Sequence, residues 1–390
     1  MLGLRRFATR LPGWATAEGT DRYAHRSRKV ETAHFRVTSP LGLSISSLGI
    51  GTYVGPANTA TDELVHSAIV SSVKSGGVNH IDTAINYRYQ KAERCVARAL
   101  RTLQTEGYSR EEYFVASKVG YVPEDIDKEE DVDAVKQRYV KGFGLKGEDF
   151  VNGHSLHPAF LKDQLERSLD NLGLECLDVL YLHNPAEAQL PTLGKPQFMQ
   201  KLAKAFEFCQ SAVVSNKVRN YGIASWKCFR TPASDTSFHL SLAEVAELAE
   251  KVAGADNGLN YVQLPINLAM PEAWVCKWQP WESSEEIFLN VAKKLKLNVV
   301  VSSPLLQGKT VDASLSKTMM GVEPQGAKHL QFIRSIPSTA IKSILVGMKK
   351  PEHVLMNTQV AFVEPLNGEN FWSYLKPEGL QDSKVTIKLW

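Results

Sequence analysis

From about residue 48 the chain alternates short apolar, β-branched runs with longer segments whose apolar residues recur at helical spacing. The runs predict eight strands, at 47–53, 78–84, 113–119, 177–183, 218–225, 260–266, 298–303 and 342–347. Helical segments follow them. "TDELVHSAIVSSVKSGG" ends on a glycine pair that suits a helix stop, "HPAFLKDQLERSL" places Pro158 in a first turn, and "SLAEVAELAEKVAG" opens on a serine cap. Strands that are apolar at most positions are buried on both faces, which points to a parallel sheet covered by helices. Eight strand–helix units in series close most economically into an α/β (β/α)8 TIM barrel. A doubly wound open sheet is the alternative. It is disfavoured because no GxGxxG follows the first strand, and "SLGIGTYVG" lacks the helix start that motif needs.

Before the first unit, "HFRVTSPLGLSISSLG" reads as an N-terminal β-hairpin with Pro40 and Gly42 at its turn, placed to plug the bottom of the barrel. Two long connections break the rhythm, and both leave C-terminal ends of strands, the face where barrels keep their chemistry. Residues 120–156, rich in charge, are expected over the mouth as a lid or docking surface. Residues 267–283 carry Trp274, Trp278 and Trp281, which either wall a pocket or pack the loop onto the barrel. The domain plan is an extension at 1–32, a barrel at 33–365 and a C-terminal tail at 366–390.

Composition changes this picture little, except at the N-terminus. A formal net charge of +3 with no basic stripe argues against nucleic acid, and no apolar run is long enough to span a membrane. The five cysteines, Cys95, Cys176, Cys209, Cys228 and Cys276, show no CxxC spacing and are odd in number. They read as small buried residues of a reducing compartment, with no metal site or disulfide framework. Residues 1–20 hold Arg5, Arg6 and Arg10 with no acid before Glu18, and Leu4, Phe7 and Leu11 share a helical face. That is the composition of an organelle transit peptide, with a disordered basic tail as the other reading. It predicts a mitochondrial location, with plastid or cytoplasm as alternatives.

The candidate chemistry lies at strand ends. Asp82 ends strand two, Lys118 ends strand three, His183 ends strand four, and Tyr87 sits on the loop just past Asp82. Each alone has an ordinary structural reading: a helix cap, a snorkelling lysine, a packed histidine, a core tyrosine. Four ionisable groups at the mouth of three adjacent strands are harder to explain that way, because buried charges without partners are costly. Their shared task is proton delivery. A phenol with a pKa of about 10 is a poor acid at neutral pH, and an adjacent ammonium lowers that value. Lys118 supplies the charge, Asp82 holds Lys118, His183 orients a carbonyl oxygen, and Tyr87 protonates that oxygen as hydride reaches carbon.

These residues lie in a pattern that resembles the aldo-keto reductase family, over about residues 38–362. "IDTAINY" resembles its Asp-Thr-Ala-x-x-Tyr signature, and "ASKVG" its lysine strand. "LERSLDNLGLECLDVLYLHNP" resembles the block that ends in its histidine, and "SILVGMKKPEHVLMNT" its C-terminal cofactor segment. The resemblance implies a (β/α)8 barrel that binds NADP(H) without a Rossmann domain and reduces a small-molecule carbonyl. Carried over residue by residue, it implies cofactor contacts at Gly51 and Thr52, at Ser225 and Gln263, at Ser303, Pro304, Leu305, Gln307 and Lys309, and at Gly347, Lys349, Lys350, His353 and Asn357. Lys349 and Lys350 are expected at the 2′-phosphate, which gives a preference for NADP(H). The chain departs from the family pattern at Ala224 and Ser302, which replace a hydroxyl and an aromatic residue near the nicotinamide, and at Asn184, where many members carry Trp. Two functions remain open: a working reductase, or a non-catalytic barrel serving as a subunit of an organellar protein assembly.

Overall fold

The computed structural model describes residues 9–311, 315 and 320–375. All eight expected strands are present, each within two residues of its expected ends: β1 (Leu48–Gly51), β2 (His80–Asp82), β3 (Phe114–Val119), β4 (Leu177–His183), β5 (Val218–Ala224), β6 (Leu259–Pro265), β7 (Asn298–Ser302) and β8 (Ile341–Val346). Each pairs in parallel with the next, and β8 returns to pair with β1, so the sheet is a closed barrel and the open alternative is set aside. Neighbouring residues on one strand enter different cores. Val115 packs with helix residues such as Val96 and Leu165 in the outer layer. Ala116 packs with Phe114, Val179, Tyr181, Tyr261, Val300 and Leu345 inside the barrel. This split at period two is why the strands read as continuously apolar. Full burial of each large aliphatic side chain contributes about 1.5–3 kcal/mol.

The helices start where their caps dictate. Pro158–Leu172 has Pro in its first turn, and Ser241 caps Leu242–Ala253 by accepting from the Glu244 N–H. Strands Phe35–Val37 and Ser44–Ser46 form the expected hairpin, and Leu43 and Ile45 enter the inner core beside Phe114, the first residue of β3. The hairpin therefore closes the N-terminal end of the barrel.

Residues 9–32 pack against that same end. Thr16 caps the helix Ala17–Ala24, Leu11 bridges to Leu174, and the Ala15 N–H donates to Asp178 Oδ1 at 2.7 Å. Buried Tyr23 places its hydroxyl 2.7 Å from the carbonyls of both Val73 and Val78. At the other terminus, the helix Gly368–Tyr374 packs Phe371 on Phe332 and Trp274.

The two long connections take different courses. In 120–156 the strap returns on itself through a Tyr121–His154 bridge. Its helix Val132–Phe143 packs Tyr139 on Phe160 outside the barrel, and Asp125 accepts a two-pronged contact from Arg94 of the helix Lys91–Thr105. The connection thus leaves the C-terminal face but leans outward over neighbouring helices, because its charged residues find partners there. The segment after β6 forms a helix, Glu272–Val275, and a hairpin of Lys277–Trp281 with Ser284–Ile287. Four of the cysteines are buried, and Cys276 is partly so.

Candidate active site

Strand ends position the central side chains. Lys118 is fully buried and donates to Asp82 Oδ1 and, at 2.9 Å, to the Thr83 carbonyl. The other Asp82 oxygen accepts from Gln263 Nε2 at 2.9 Å. After β2 the chain turns, with the Tyr87 N–H on the Ala84 carbonyl, and brings the Tyr87 ring centroid to 4.8 Å from Lys118 Nζ. Three left-handed residues, Arg88, Tyr89 and Gln90, then redirect the backbone into the next helix. The His183 ring meets Tyr87 edge-on at 5.7 Å and Tyr121 at 5.3 Å. The four residues singled out from the sequence therefore converge.

Their electrostatics differ from the sequence argument in one respect. Burial pushes the Tyr87 phenol above its usual value, and Lys118 pulls it down without overcoming that effect. The ammonium does act on the phenol, but desolvation outweighs it. Burial likewise raises Asp82 against the pull of Lys118 and Gln263. Burial works against charge on Lys118 too, yet Asp82 and Tyr87 together hold its pKa above the ordinary value. Burial, reinforced by Lys118 and His154, keeps His183 well below 6.5. His183 is thus a neutral imidazole at neutral pH, able to donate one N–H.

His154 lies behind His183 and was not singled out from the sequence. Its Nε2 donates to the His183 carbonyl at 3.0 Å, and its Nδ1 accepts from Gln189 Nε2 at 3.0 Å. Gly120 permits this approach. It sits at φ +133°, and a Cβ there would fall 2.3 Å from His154 Nε2. The single hint in the sequence is that His154 lies on the long connection after β3.

Above Tyr87 and His183 opens a cavity of about 730 Å³. Of the expected cofactor contacts, Gly51, Thr52, Ser225, Gln263, Ser303, Pro304, Leu305, Gln307, Gly347, Lys349, His353 and Asn357 line it. Lys309 and Lys350 are exposed and stand outside its wall. Trp274, Trp278 and Trp281 do not line it either. Trp274 packs on Phe332, Phe371 and Trp372, and Lys294 lies over Trp281, so the packing alternative holds for these two. Of the 120–156 connection only Tyr121 reaches the cavity, so it contributes a wall and not a lid. Tyr53, Asn86 and Trp226 also line it and were missed, because aromatic and amide residues in loops carry no sequence signal of direction.

A family model for the Aldo/keto reductase family matches residues 47–235, the stretch that carries Asp82, Tyr87, Lys118 and His183. Over that stretch, just under half of the chain, the sequence is similar to the aldo/keto reductase family. Among curated relatives, "Aldo-keto reductase AMT2" of Alternaria alternata is 28% identical over 163 residues, 40% of this chain and 43% of that protein. "NADH-specific methylglyoxal reductase" of Escherichia coli (strain K12) is 24% identical over 234 residues, 58% of this chain and 62% of that protein. The chain thus spans about half the length of the curated relatives it matches. Among solved structures, an aldo/keto reductase from Klebsiella pneumoniae in complex with NADP and acetate superposes with a TM-score of 0.57 at 17% identity, covering 87% of this chain and 93% of that one. The holo form of aldo-keto reductase AKR11C1 from Bacillus halodurans gives 0.57 at 17% identity, over 90% and 97%. At that identity these two establish the shared barrel. In this barrel the buried ion pair, the phenol and the imidazole stand at the C-terminal mouth, at the floor of the cavity.

Proposed function

We propose that this chain reduces an aldehyde or ketone with NADPH, or oxidises the matching alcohol or sugar in reverse. The observation that carries the reading is the buried Asp82–Lys118 pair beside Tyr87 and neutral His183, at the floor of a cavity that extends to Lys349 and Asn357. A pair so buried is expensive to desolvate, and apolar residues would pack there as stably.

The cavity fits a nicotinamide dinucleotide phosphate. The turn after β7 curls through Ser303, Leu306, Gln307 and Gly308, all at positive φ, a backbone form of the kind that gathers N–H groups round an anion. Lys349 adds a cation on the same wall. Gly51, Thr52, Ser225 and Gln263 would hold the nicotinamide end, Ser303, Pro304, Leu305 and Gln307 the pyrophosphate, and Gly347, Lys349, His353 and Asn357 the adenosine end. When bound, the reduced nicotinamide supplies the hydride. His183 donates a hydrogen bond to the carbonyl oxygen and Tyr87 gives that oxygen its proton. Lys118 stabilises the phenolate left behind, and Asp82 keeps Lys118 in place. Fluorescence titration with NADPH followed by a panel of carbonyl compounds tests the reading. Tyr87→Phe should bind NADPH as before and lose about 10²–10⁴-fold in reduction. Undiminished turnover by that variant refutes the mechanism.

A second reading, a non-catalytic subunit of an organellar assembly, has one observation in its favour. Ser225 donates to Glu187 Oε1 at 2.8 Å and Gln263 to Asp82, so both side chains expected at the nicotinamide already hold partners. NADPH binding without turnover of any carbonyl selects it. The mitochondrial address in our proposal is supported by the arginines at 5, 6 and 10; residues 1–8 lie outside the described residues. A fluorescent fusion that still enters the organelle without residues 1–8 would remove that support.

A further inference from the structure

The turn after β5 is held from both sides. One carboxylate oxygen, Glu187 Oε1, accepts from the Ser225 hydroxyl at 2.8 Å and from the backbone N–H groups of Trp226, Lys227 and Cys228 at 2.9, 2.6 and 2.9 Å. From the other side Arg230 donates to the Trp226 carbonyl through Nε at 3.2 Å and Nη2 at 2.8 Å, and its Nη1 is paired with Glu272 at 2.6 Å. With both peptide groups of Trp226 engaged, the backbone cannot carry the ring elsewhere without breaking several charge-assisted bonds. Yet the indole is 42% exposed and lines the cavity. A large aromatic surface kept in water by a rigid frame forgoes hydrophobic stabilisation, and it is preorganised to recover that stabilisation from a ligand.

Two more rings stand on the same cavity. Tyr53, 57% exposed, meets Tyr87 edge-on at 5.0 Å, and Tyr121 meets His183 at 5.3 Å. Asn184, left-handed at φ +49°, supplies an uncharged polar group beside His183. The cations around these rings are committed elsewhere. Lys118 holds Asp82, Arg88 lies 2.9 Å from Asp62, and Lys227 sits 3.7 Å above the Phe238 ring and 3.7 Å from Asp235. Among the described residues lining the cavity, Lys349 and His353 are the cationic types besides His183, and both follow β8, not β5.

Resting on the reductase reading, we infer that the substrate is an uncharged aromatic carbonyl held among Tyr53, Tyr121 and Trp226, and that carbonyls bearing a carboxylate are poor substrates because, among the described residues, no free cation stands beside these rings. A carboxylate desolvated against these rings would have no ion-pair partner. The reaction balances as already written: hydride from the dinucleotide to the carbonyl carbon, the proton from Tyr87 to its oxygen, and an oxidised nicotinamide left behind.

The test compares benzaldehyde, 4-formylbenzoate and glyceraldehyde with NADPH and the full chain. The expected kcat/KM for benzaldehyde exceeds that for 4-formylbenzoate at least about tenfold, the loss expected for an unpaired carboxylate. Equal or reversed values overturn the inference while leaving the reductase reading intact. In Trp226→Leu the ratio of kcat/KM for benzaldehyde over glyceraldehyde should fall about fivefold through KM, and Trp226→Phe should restore it. A ratio unmoved by Trp226→Leu and by Tyr53→Leu overturns the assigned wall. If no carbonyl is reduced, the reductase reading fails and the inference is decided by binding alone. Benzamide should then quench protein fluorescence saturably, less so in Trp226→Phe, and bind at least about tenfold tighter than benzoate. Benzoate binding as tightly as benzamide overturns it.

Discussion

Replacing Lys118 with Met removes the positive charge that faces both Asp82 and Tyr87. Nζ lies 4.8 Å from the centroid of the Tyr87 ring. A unit charge at that distance contributes about 3 kcal/mol at an effective dielectric of about 20. If all of it acts as the phenol gives up its proton, the rate falls by roughly 10²-fold. The loss adds to a phenol that burial has already made reluctant to ionise. Stability suffers by a separate route, since removing one partner of a buried pair costs about 3–5 kcal/mol. Asp82 retains Gln263 as its neighbour and, already raised by burial, can escape part of that cost by taking up a proton. The double variant Asp82→Asn/Lys118→Met should therefore melt closer to the unmodified chain than Lys118→Met does, yet reduce no faster. Single-turnover NADPH oxidation at saturating cofactor reads the chemical step, and thermal melts read the stability. A Lys118→Met chain that reduces within about threefold of the original would refute the claim that the ammonium assists the phenol.

Three other outcomes are expected. His34, His80, His154 and His183 are held below 6.5 by burial, His80 and His154 at about 3, so the unfolded chain takes up protons that the folded chain refuses. Stability should fall as pH drops through 6.5 toward 3, by up to roughly 1.4 kcal/mol per pH unit for each imidazole; urea melts at descending pH read this, and a flat profile rejects it. Lys349→Ala should remove most of a preference for NADP(H) over NAD(H) of more than about tenfold, whereas Lys350→Ala, outside the cavity wall, should leave it; matched titrations with the two cofactors decide. Tyr23→Phe deletes a hydroxyl set between the Val73 and Val78 carbonyls and should lower stability by about 1–3 kcal/mol with NADPH binding unchanged, as read by melts and titration.

The sequence by itself determined the eight strand–helix units, the hairpin under the barrel, and the convergence of Asp82, Lys118, Tyr87 and His183 at its mouth. Those signals are local: side-chain periodicity, turn residues, and ionisable groups at the ends of apolar runs. Closure of the sheet then aligns the strand ends, so a residue's place on its strand already states its place in the site. Tertiary structure alone decided the rest. Gln263 reaches Asp82 across 181 residues, and Glu187 gathers the Trp226, Lys227 and Cys228 amides from a helix after another strand. His154 backs His183 because Gly120 leaves room for its ring. Lys349 faces the cavity and its neighbour Lys350 does not, because consecutive residues at a helix start point in different directions. Trp274 was absorbed into a core with Phe332 and Phe371, while Trp226, in a shorter loop, was held open by its clamped backbone. Which way a loop side chain points depends on partners distant in sequence, and the net pKa of Tyr87 depends on how completely those partners exclude water.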